Sequence, residues 1–261
     1  MQYMPLLTQY RRVGMPKNKK AGFFLLLFLL SLLFLPIGSS RQKTENGSTI
    51  NEPFSSLMLN NLTEQPAVIM IDPGHGGADT GVDKKSITES EVTLDISQKL
   101  KTCLEEKAHI VEMTRSRDIS LYQLSDISGT VQKRELDARV ALINKSDANI
   151  FVSIHVNSCP ESPGLSGSIV YYNSSMPESR KLSDCIQDQL NKIEPVNFKR
   201  DRHDPREADF YLLKNSDIPG VLVETAFITN SRERKLLSKE NFRSQIAKAV
   251  AEGIEDYFNI K

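Results

Sequence analysis

Three polar clusters in this chain of 261 residues combine side chains that can bind a metal and move protons. His75 lies in the glycine-rich segment 72–77, where backbone without side chains lets a ligand approach closely. His155 ends an apolar run. Glu224 follows the apolar run 220–223, and a carboxylate in that setting is costly unless it is paired or bound to a metal. These clusters point to metal-assisted acid–base chemistry.

A further carboxylate is singled out by the start of a predicted helix. Thr88 and Glu91 have the spacing of a capping box, in which each side chain bonds the backbone of the other residue. Glu91 is thereby assigned to the cap, and Glu89 is left to face the turn that holds His75. Two histidines and a glutamate from separate segments are the donor set of a catalytic zinc site, which keeps a fourth position for water.

Each of these residues also has an ordinary structural explanation. A histidine in a turn is more often solvated or hydrogen-bonded than bound to metal. Glu89 alone is a favourable charge at a helix N-terminus, and Glu224 alone could be one half of an ion pair. Composition and spacing therefore indicate a metallohydrolase without establishing one.

The elements that must position these clusters alternate between strand and helix. From residue 67, short apolar runs alternate with stretches that repeat apolar residues at helical spacing. This pattern predicts one α/β domain at 66–261, with a central, mostly parallel sheet flanked by helices on both faces. Ligands of such sheets bind at the carboxyl ends of the strands, where the clusters lie. The predicted strands are 67–71, 109–113, 150–154, 168–172, 210–213 and 221–223, and the predicted helices are 89–107, 133–145, 180–193 and 242–258.

The N-terminal region differs sharply from this domain. Residues 1–20 contain basic side chains and no acidic ones, and they lead into an apolar run at 21–37. This pattern predicts export of the chain, with 1–40 as a signal peptide or a membrane anchor, both of which stay open. The polar segment 41–65 is predicted to be a tether between membrane and domain. The protein is thus expected to be exported and either anchored to the membrane or secreted.

Charge and cysteine content exclude other classes of protein. The 33 basic and 33 acidic residues balance, so nothing indicates a nucleic-acid partner. Cys103, Cys159 and Cys185 are odd in number and widely spaced, which indicates neither a disulfide framework nor a thiolate metal site. One cysteine pairing stays open.

Several short motifs occur in a fixed order along residues 68–258. They are 71–77 (IDPGHGG), Glu89 with Val92 and Leu94, 113–115 (MTR), Leu136, Arg139, Ile143 and Asn144, 153–157 (SIHVN), Gly167 with Tyr171 and Tyr172, and 221–230 (VLVETAFITN). Together they resemble the zinc-dependent N-acetylmuramoyl-L-alanine amidases (amidase type 3) of bacterial autolysins and spore-cortex enzymes. Each motif is weak alone, and their common order carries the resemblance.

The resemblance implies zinc (Zn²⁺) as the cofactor and peptidoglycan as the substrate. Position by position, it makes His75, Glu89 and His155 the zinc ligands and Glu224 the catalytic carboxylate. The implied reaction is hydrolysis of the lactyl amide between N-acetylmuramic acid and L-alanine.

Substrate contacts are predicted from polar residues near these motifs. Asn157 and a loop at 197–209 are expected to bind carboxylates of the peptide, the loop through bidentate hydrogen bonds from Arg200, Arg202 and Arg206. For each arginine the alternative is that it lies in a solvated loop and binds no substrate.

Within the family, the chain is most similar to the spore-germination type, which carries a membrane leader and is linked to muramic lactam formation in spore cortex. That likeness rests on the leader, the short tether, the absence of an extra module and the motifs 141–146 and 185–188. The segment 158–166 is too short for an autoinhibitory helix. Ala226 stands where the family usually has glycine, so altered loop geometry with retained activity is expected. The likeness also implies the cell wall or the spore intermembrane space as the location of the protein, and it leaves open whether an accessory protein takes part.

Two other functions remain open. A wall-binding protein that has lost catalysis would keep the fold and lose a ligand or Glu224, and all four residues are present here. A different zinc hydrolase, such as a peptidase or deacetylase, could use the same three-ligand chemistry.

Overall fold

The computed structural model describes residues 66–85 and 87–259. The predicted leader and tether lie outside these residues. Among the helices of the described part, none combines the length and the apolar character that a membrane span requires.

A six-stranded sheet forms the centre of the domain. Its strand order is β4–β1–β5–β8–β6–β7, and all neighbours run parallel except β6 and β8, which are antiparallel. This confirms the predicted mostly parallel sheet. The strands are β1 (Val68–Pro73), β2 (Asp83–Lys84), β3 (Ile87–Thr88), β4 (Ile110–Met113), β5 (Ile150–Asn157), β6 (Ile169–Tyr172), β7 (Arg206–Glu207) and β8 (Gly220–Phe227), of which β2 and β3 form a separate hairpin.

Helices cover both faces of the sheet, as the alternating pattern predicts. On one face α1, α3 and α6 pack together over the larger apolar core, and on the other α2 and α4 enclose a smaller one with Met70, Phe151 and Leu222. The helices are α1 (Glu89–Glu105), α2 (Val131–Lys145), α3 (Pro177–Leu190), α4 (Tyr211–Asn215), α5 (Ser231–Leu237) and α6 (Glu240–Asn259), with a 3₁₀ turn at Tyr122–Leu124.

Helix α1 shows how the apolar pattern positions an element. Ile96, Leu100 and Leu104 recur every fourth residue, and all three side chains are fully buried against the sheet. The helix ends at Glu105, two residues earlier than predicted, and Ala108 then adopts a left-handed backbone with φ 67°. The turn directs the chain into β4.

Two predictions about local structure are wrong. The segment 210–213 is predicted as a strand but belongs to α4, because the adjacent Leu212 and Leu213 both pack into the smaller core, which a helix allows and a strand does not. Helix α5 was not predicted; Asn230 caps it by accepting hydrogen bonds from the backbone N–H groups of Arg232 and Glu233.

Three smaller expectations concern loops and thiols. The connection between β5 and β6 contains turns and no helix, in agreement with the prediction. Ala226 lies buried within β8 rather than in a loop, and the register against β5 shifts beside it. All three cysteines are free thiols, so the open pairing does not form.

Candidate metal centre and catalytic carboxylate

The turn after β1 presents His75 at the carboxyl end of the sheet. The N–H of Gly74 donates to the carbonyl of Ile154 on β5 at 2.9 Å. Only glycine fits there, because a Cβ at position 74 would lie 2.4 Å from the ring of His155. His75 adopts φ 58°, a left-handed conformation that costs a non-glycine residue about 1 kcal/mol. The surrounding structure must therefore hold this residue in place.

Glu89 occupies the first turn of α1, as predicted, but the capping box does not form. Thr88 is the N-cap residue and makes no side-chain cap bond, and Glu91 is exposed. The free N–H groups at the start of the helix instead donate to backbone: Glu89 N to Val82 O at 3.0 Å and Ser90 N to Thr80 O at 3.1 Å. Backbone from the preceding loop thus replaces the side-chain cap, and the Glu89 carboxylate is free to face the histidines.

The structure brings the three predicted ligands together. Glu89 Oε1 lies 3.2 Å from His75 Nε2 and 3.1 Å from His155 Nδ1. One ligand atom from each residue lies within 4.8 Å of the others. The N–H of Val156 also donates to Glu89 Oε1 at 3.0 Å, which fixes the carboxylate against β5. Two imidazoles and one carboxylate converge on one point, as a catalytic metal site requires.

A fourth residue, missed by the sequence analysis, supports His75 from behind. Asp79 Oδ2 lies 2.8 Å from His75 Nδ1, the ring nitrogen that faces away from Glu89. A carboxylate in this position fixes the orientation and tautomer of a metal-binding imidazole. The available signal was an aspartate four residues after the histidine in the same turn, which is weak by itself.

The charges of this cluster reinforce one another in the metal-free protein. Burial acts to lower the pKa of His75, but hydrogen bonds and charge from Glu89 and Asp79 outweigh it and raise the pKa to about 9. Burial acts to raise the pKa of Glu89, and the hydrogen bonds and charges of His155 and His75 hold it well below its usual range. The site is built for a cation beside Glu89.

Glu224 lies beside this cluster on β8. Its Cα pairs with that of His155 on β5, so both side chains project from the same face of the sheet. Its Oε2 is buried and has no hydrogen-bond partner among the described residues. Burial raises the pKa of Glu224 to about 7; the imidazoles of His155 and His75 oppose this shift and the charge of Glu89 adds to it.

This raised pKa predicts how the stability of the metal-free protein depends on pH. Because the native pKa of Glu224 is about 7 against an ordinary 4.5, the native state binds a proton that the unfolded state releases. The contribution of Glu224 to the stability of the metal-free protein therefore falls as pH rises from 4.5 to 7. Glu224→Gln, which cannot ionise, is expected to be more stable than the wild type by about 3 kcal/mol at pH 8 and by much less at pH 4.5. Urea unfolding at both pH values measures this, and an equal difference at the two would contradict it.

A cleft of about 260 Å³ opens from Glu224 and the two histidines towards α2 and α4. Apolar and polar side chains both line the cleft, so it suits a ligand with both characters. The apolar lining comes from Leu136, Phe210, Tyr211, Leu212 and Leu222, and the polar lining includes Asp79, Gln132, Glu135 and Arg139.

The predicted substrate contacts fall in different environments. Asn157 lies two residues after His155 at the end of β5, and its Oδ1 accepts a hydrogen bond from the N–H of Ser158 at 2.8 Å. Arg206 is exposed on the edge strand β7, paired in register with Tyr171. Arg202 is exposed and lies 3.0 Å from Glu194. For Asn157 and Arg206, substrate binding stays a prediction.

The structure does not support a substrate-binding role for Arg200. Its guanidinium is buried, with Nε 2.6 Å from Glu233 Oε1 and Nη2 donating to the carbonyl of Thr225 at 2.8 Å. Glu233, at the start of α5, also accepts from the N–H of Phe227. Arg200 therefore joins its loop to β8 and α5 inside the protein.

Arg200→Ala is accordingly expected to lower stability rather than substrate affinity. It would leave the Glu233 carboxylate buried without its charge partner, which costs about 3–5 kcal/mol. Urea unfolding measures the loss, with Arg202→Ala as the control for an exposed pair worth under about 1 kcal/mol. A fully stable Arg200→Ala with a raised KM would restore the original prediction.

The sequence analysis also did not predict a buried charge network that lies beneath the candidate metal site. Arg139 lies 2.6 Å from Asp72 and 3.1 Å from Glu135, and Asp72 also accepts hydrogen bonds from Thr114 and Ser153. Burial acts to raise the pKa of Asp72, but the charge of Arg139 and these hydrogen bonds lower it. Sequence reasoning had noted Arg139 without giving it a role.

The sequence of the described domain matches a known protein family. The family model for N-acetylmuramoyl-L-alanine amidase matches residues 69–256. A germination-specific N-acetylmuramoyl-L-alanine amidase of Bacillus subtilis (strain 168) is 33% identical over 92% of this chain and 93% of its own length.

Solved structures show the same likeness. The CwlD amidase from Clostridioides difficile, in complex with the GerS lipoprotein, is 36% identical with a TM-score of 0.67, covering 75% of this chain and 100% of that one. An N-acetylmuramoyl-L-alanine amidase from Clostridium difficile 630 is 27% identical with a TM-score of 0.64, over 76% of this chain and 100% of the other. The family match and these relatives show that the chain belongs to the N-acetylmuramoyl-L-alanine amidase family.

Proposed function

We propose that this amidase uses zinc, held by His75, Glu89 and His155, to hydrolyse the lactyl amide of peptidoglycan, with Glu224 as the proton carrier. The observation that carries the proposal is the position of Glu224. Its Oε2 is buried beside the three-residue cluster and lacks a hydrogen-bond partner among the described residues. Leaving a buried carboxylate oxygen unpaired costs free energy, which a reacting group or water would recover.

The donor set fits zinc. Two imidazole nitrogens and one carboxylate oxygen are the ligands of hydrolytic zinc sites, which keep one position open. The contact of Asp79 with His75 adds the outer carboxylate that such sites use to orient a histidine. Bound there, zinc would supply Lewis-acid polarisation of the scissile carbonyl and lower the pKa of a water molecule.

The side chain of Glu224 would then handle the proton. Deprotonated, Oε2 takes a proton from the attacking water; protonated, it delivers that proton to the leaving nitrogen of L-alanine. In the metal-free protein burial raises the pKa of Glu224 to about 7, so this carboxylate accepts a proton more readily than an ordinary glutamate does. Asn157 and Arg206 are the residues proposed to bind the peptide.

The biological setting is also a proposal. The likeness to a germination-specific amidase supports action on spore cortex, in the formation of muramic lactam. The related CwlD amidase was solved with the GerS lipoprotein, which supports an accessory lipoprotein as a partner of this chain. The basic and apolar leader at 1–40 supports export, with the domain held at the membrane or released to the wall.

The test is digestion of purified peptidoglycan with and without a zinc chelator, with released fragments identified by mass. The expected products are free stem peptides that begin with alanine, lost on chelation and restored by zinc. Cleavage inside the stem peptide would identify a peptidase, and released acetate a deacetylase. Binding to the wall without any product, even after a GerS-type lipoprotein is supplied, would identify a non-catalytic wall-binding protein.

A further inference from the structure

Two buried arginines bind three consecutive carbonyl groups of the turn that carries His75. Arg115 donates from Nε to Pro73 O at 3.0 Å and from Nη2 to Gly74 O at 2.8 Å. Arg139 donates from Nη1 to Pro73 O at 2.8 Å and from Nη2 to His75 O at 2.6 Å. The side chains come from separate segments, after β4 and within α2, and enclose the turn.

Arg139 is itself fixed to the sheet. Its Nη1 also lies 2.6 Å from Asp72 Oδ1, one residue before the turn, and its Nη2 lies 3.1 Å from Glu135 Oε1. The Glu135 carboxylate in turn accepts hydrogen bonds from the backbone N–H groups of Leu121 and Tyr122, at the start of the 3₁₀ turn. A planar guanidinium with several donors can span these groups at once, whereas an ammonium group is a single point.

Placing two positively charged guanidinium groups close together inside the protein costs free energy. Burial lowers the pKa of Arg115, and the positive charge of the nearby Arg139 lowers it as well; the resulting pKa is about 10. The turn they hold contains His75 in a left-handed backbone conformation. Such conformations persist when surrounding bonds over-determine them, and they concentrate at functional sites.

We propose that Arg115 and Arg139 form a guanidinium clamp, a pair of positioning residues that holds the 73–75 turn in its metal-binding shape before zinc arrives and thereby raises zinc affinity. The inference rests on the proposed zinc site. Neither arginine contacts the donor atoms; Arg139 acts through the carbonyl of His75, and Arg115 acts through the carbonyls of Pro73 and Gly74. Outer groups of this kind change metal affinity by about 10–100-fold.

The test compares Arg139→Lys and Arg115→Lys with the wild type as full chains. Lysine keeps the positive charge beside Asp72, but its compact ammonium group cannot span the separated carbonyls that a planar guanidinium reaches. The matched control is Arg243→Lys, which makes the same change at a partly buried arginine that bonds Asp95 and the carbonyl of Leu237, away from the metal site.

Two measurements are made on each variant. In the metal-free proteins, hydrogen exchange follows the amides of Gly74 and Gly76, which donate to Ile154 O and Asp79 O. Zinc affinity is then measured by competition with a chelating dye. We expect faster exchange confined to the turn and zinc binding weakened about 10–100-fold in both clamp variants, with neither change in Arg243→Lys.

Wild-type exchange and wild-type zinc affinity in both clamp variants would overturn the proposal. So would exchange that is faster throughout the domain, because that result shows a general structural role. If the wild type binds no zinc, the proposed cofactor is wrong, and exchange in the metal-free turn alone then decides whether the arginines position it.

Discussion

Replacing Glu224 by glutamine is expected to lower kcat by about 10²–10⁴-fold and to leave one zinc ion bound per chain. Glutamine has nearly the same shape but cannot take a proton from water or return one to the leaving nitrogen. Because Glu224 lies beside the cluster and is not one of its three members, the metal donors stay intact. Release of alanine-terminated stem peptides measures turnover, and metal analysis of the purified protein measures zinc.

The control for this variant is Glu112→Gln. Glu112 is an exposed strand glutamate on β4, at the edge of the sheet, outside the cleft. Its replacement should leave turnover unchanged. Full activity in Glu224→Gln would assign the proton transfer to another group, and loss of zinc from it would make Glu224 a ligand instead of a proton carrier.

Replacing Glu89 by alanine is expected to abolish both zinc binding and turnover, with zinc affinity falling by more than about 100-fold. The variant leaves the two imidazoles without their shared carboxylate, which now lies 3.2 Å from His75 and 3.1 Å from His155. His75→Ala and His155→Ala should have the same double effect. Dye competition measures zinc affinity, and the peptidoglycan assay measures turnover.

Glu91→Ala is the matched control, since Glu91 lies in the same first turn of α1 and is exposed. It should keep zinc and activity. Glu89 also accepts hydrogen bonds from the N–H groups of Val82 and Val156, so Glu89→Gln is needed to separate lost ligation from lost packing. An active, zinc-bound Glu89→Ala enzyme would disprove the assignment of the ligands.

The two variants together separate two kinds of failure. Loss of turnover with zinc retained identifies the proton carrier, and loss of both identifies a ligand. A fold defect is recognised by lowered stability towards urea, as expected for Arg200→Ala. The three outcomes therefore distinguish residues that act in the chemistry, in metal binding and in the stability of the fold.

Local features of the sequence were sufficient for the order of most elements and for picking out the side chains of the candidate metal site. The fourfold spacing in α1 predicts a helix with one buried face, and the structure buries that face. His75, His155 and Glu224 follow apolar runs, and parallel strands bring their carboxyl ends to the same edge of a sheet. These inferences hold because each depends on neighbours along the chain and on the general geometry of α/β sheets.

Other features were decided by contacts between distant segments. Thr88 and Glu91 have the sequence of a capping box, but carbonyls of the preceding loop satisfy the helix start instead. Arg200 has a side chain that can bind carboxylates of a substrate, but in the structure it pairs inside the protein with Glu233, 33 residues later in the chain. Arg139 contacts the 73–75 turn only in the folded protein, because folding brings residues 72–75 against α2. The sequence by itself determined which side chains have the required chemistry, and it showed that most of them lie at the ends of strands. Only the tertiary structure decided which charges are buried as pairs and which stay free for substrate, because a charge partner is selected by proximity in space.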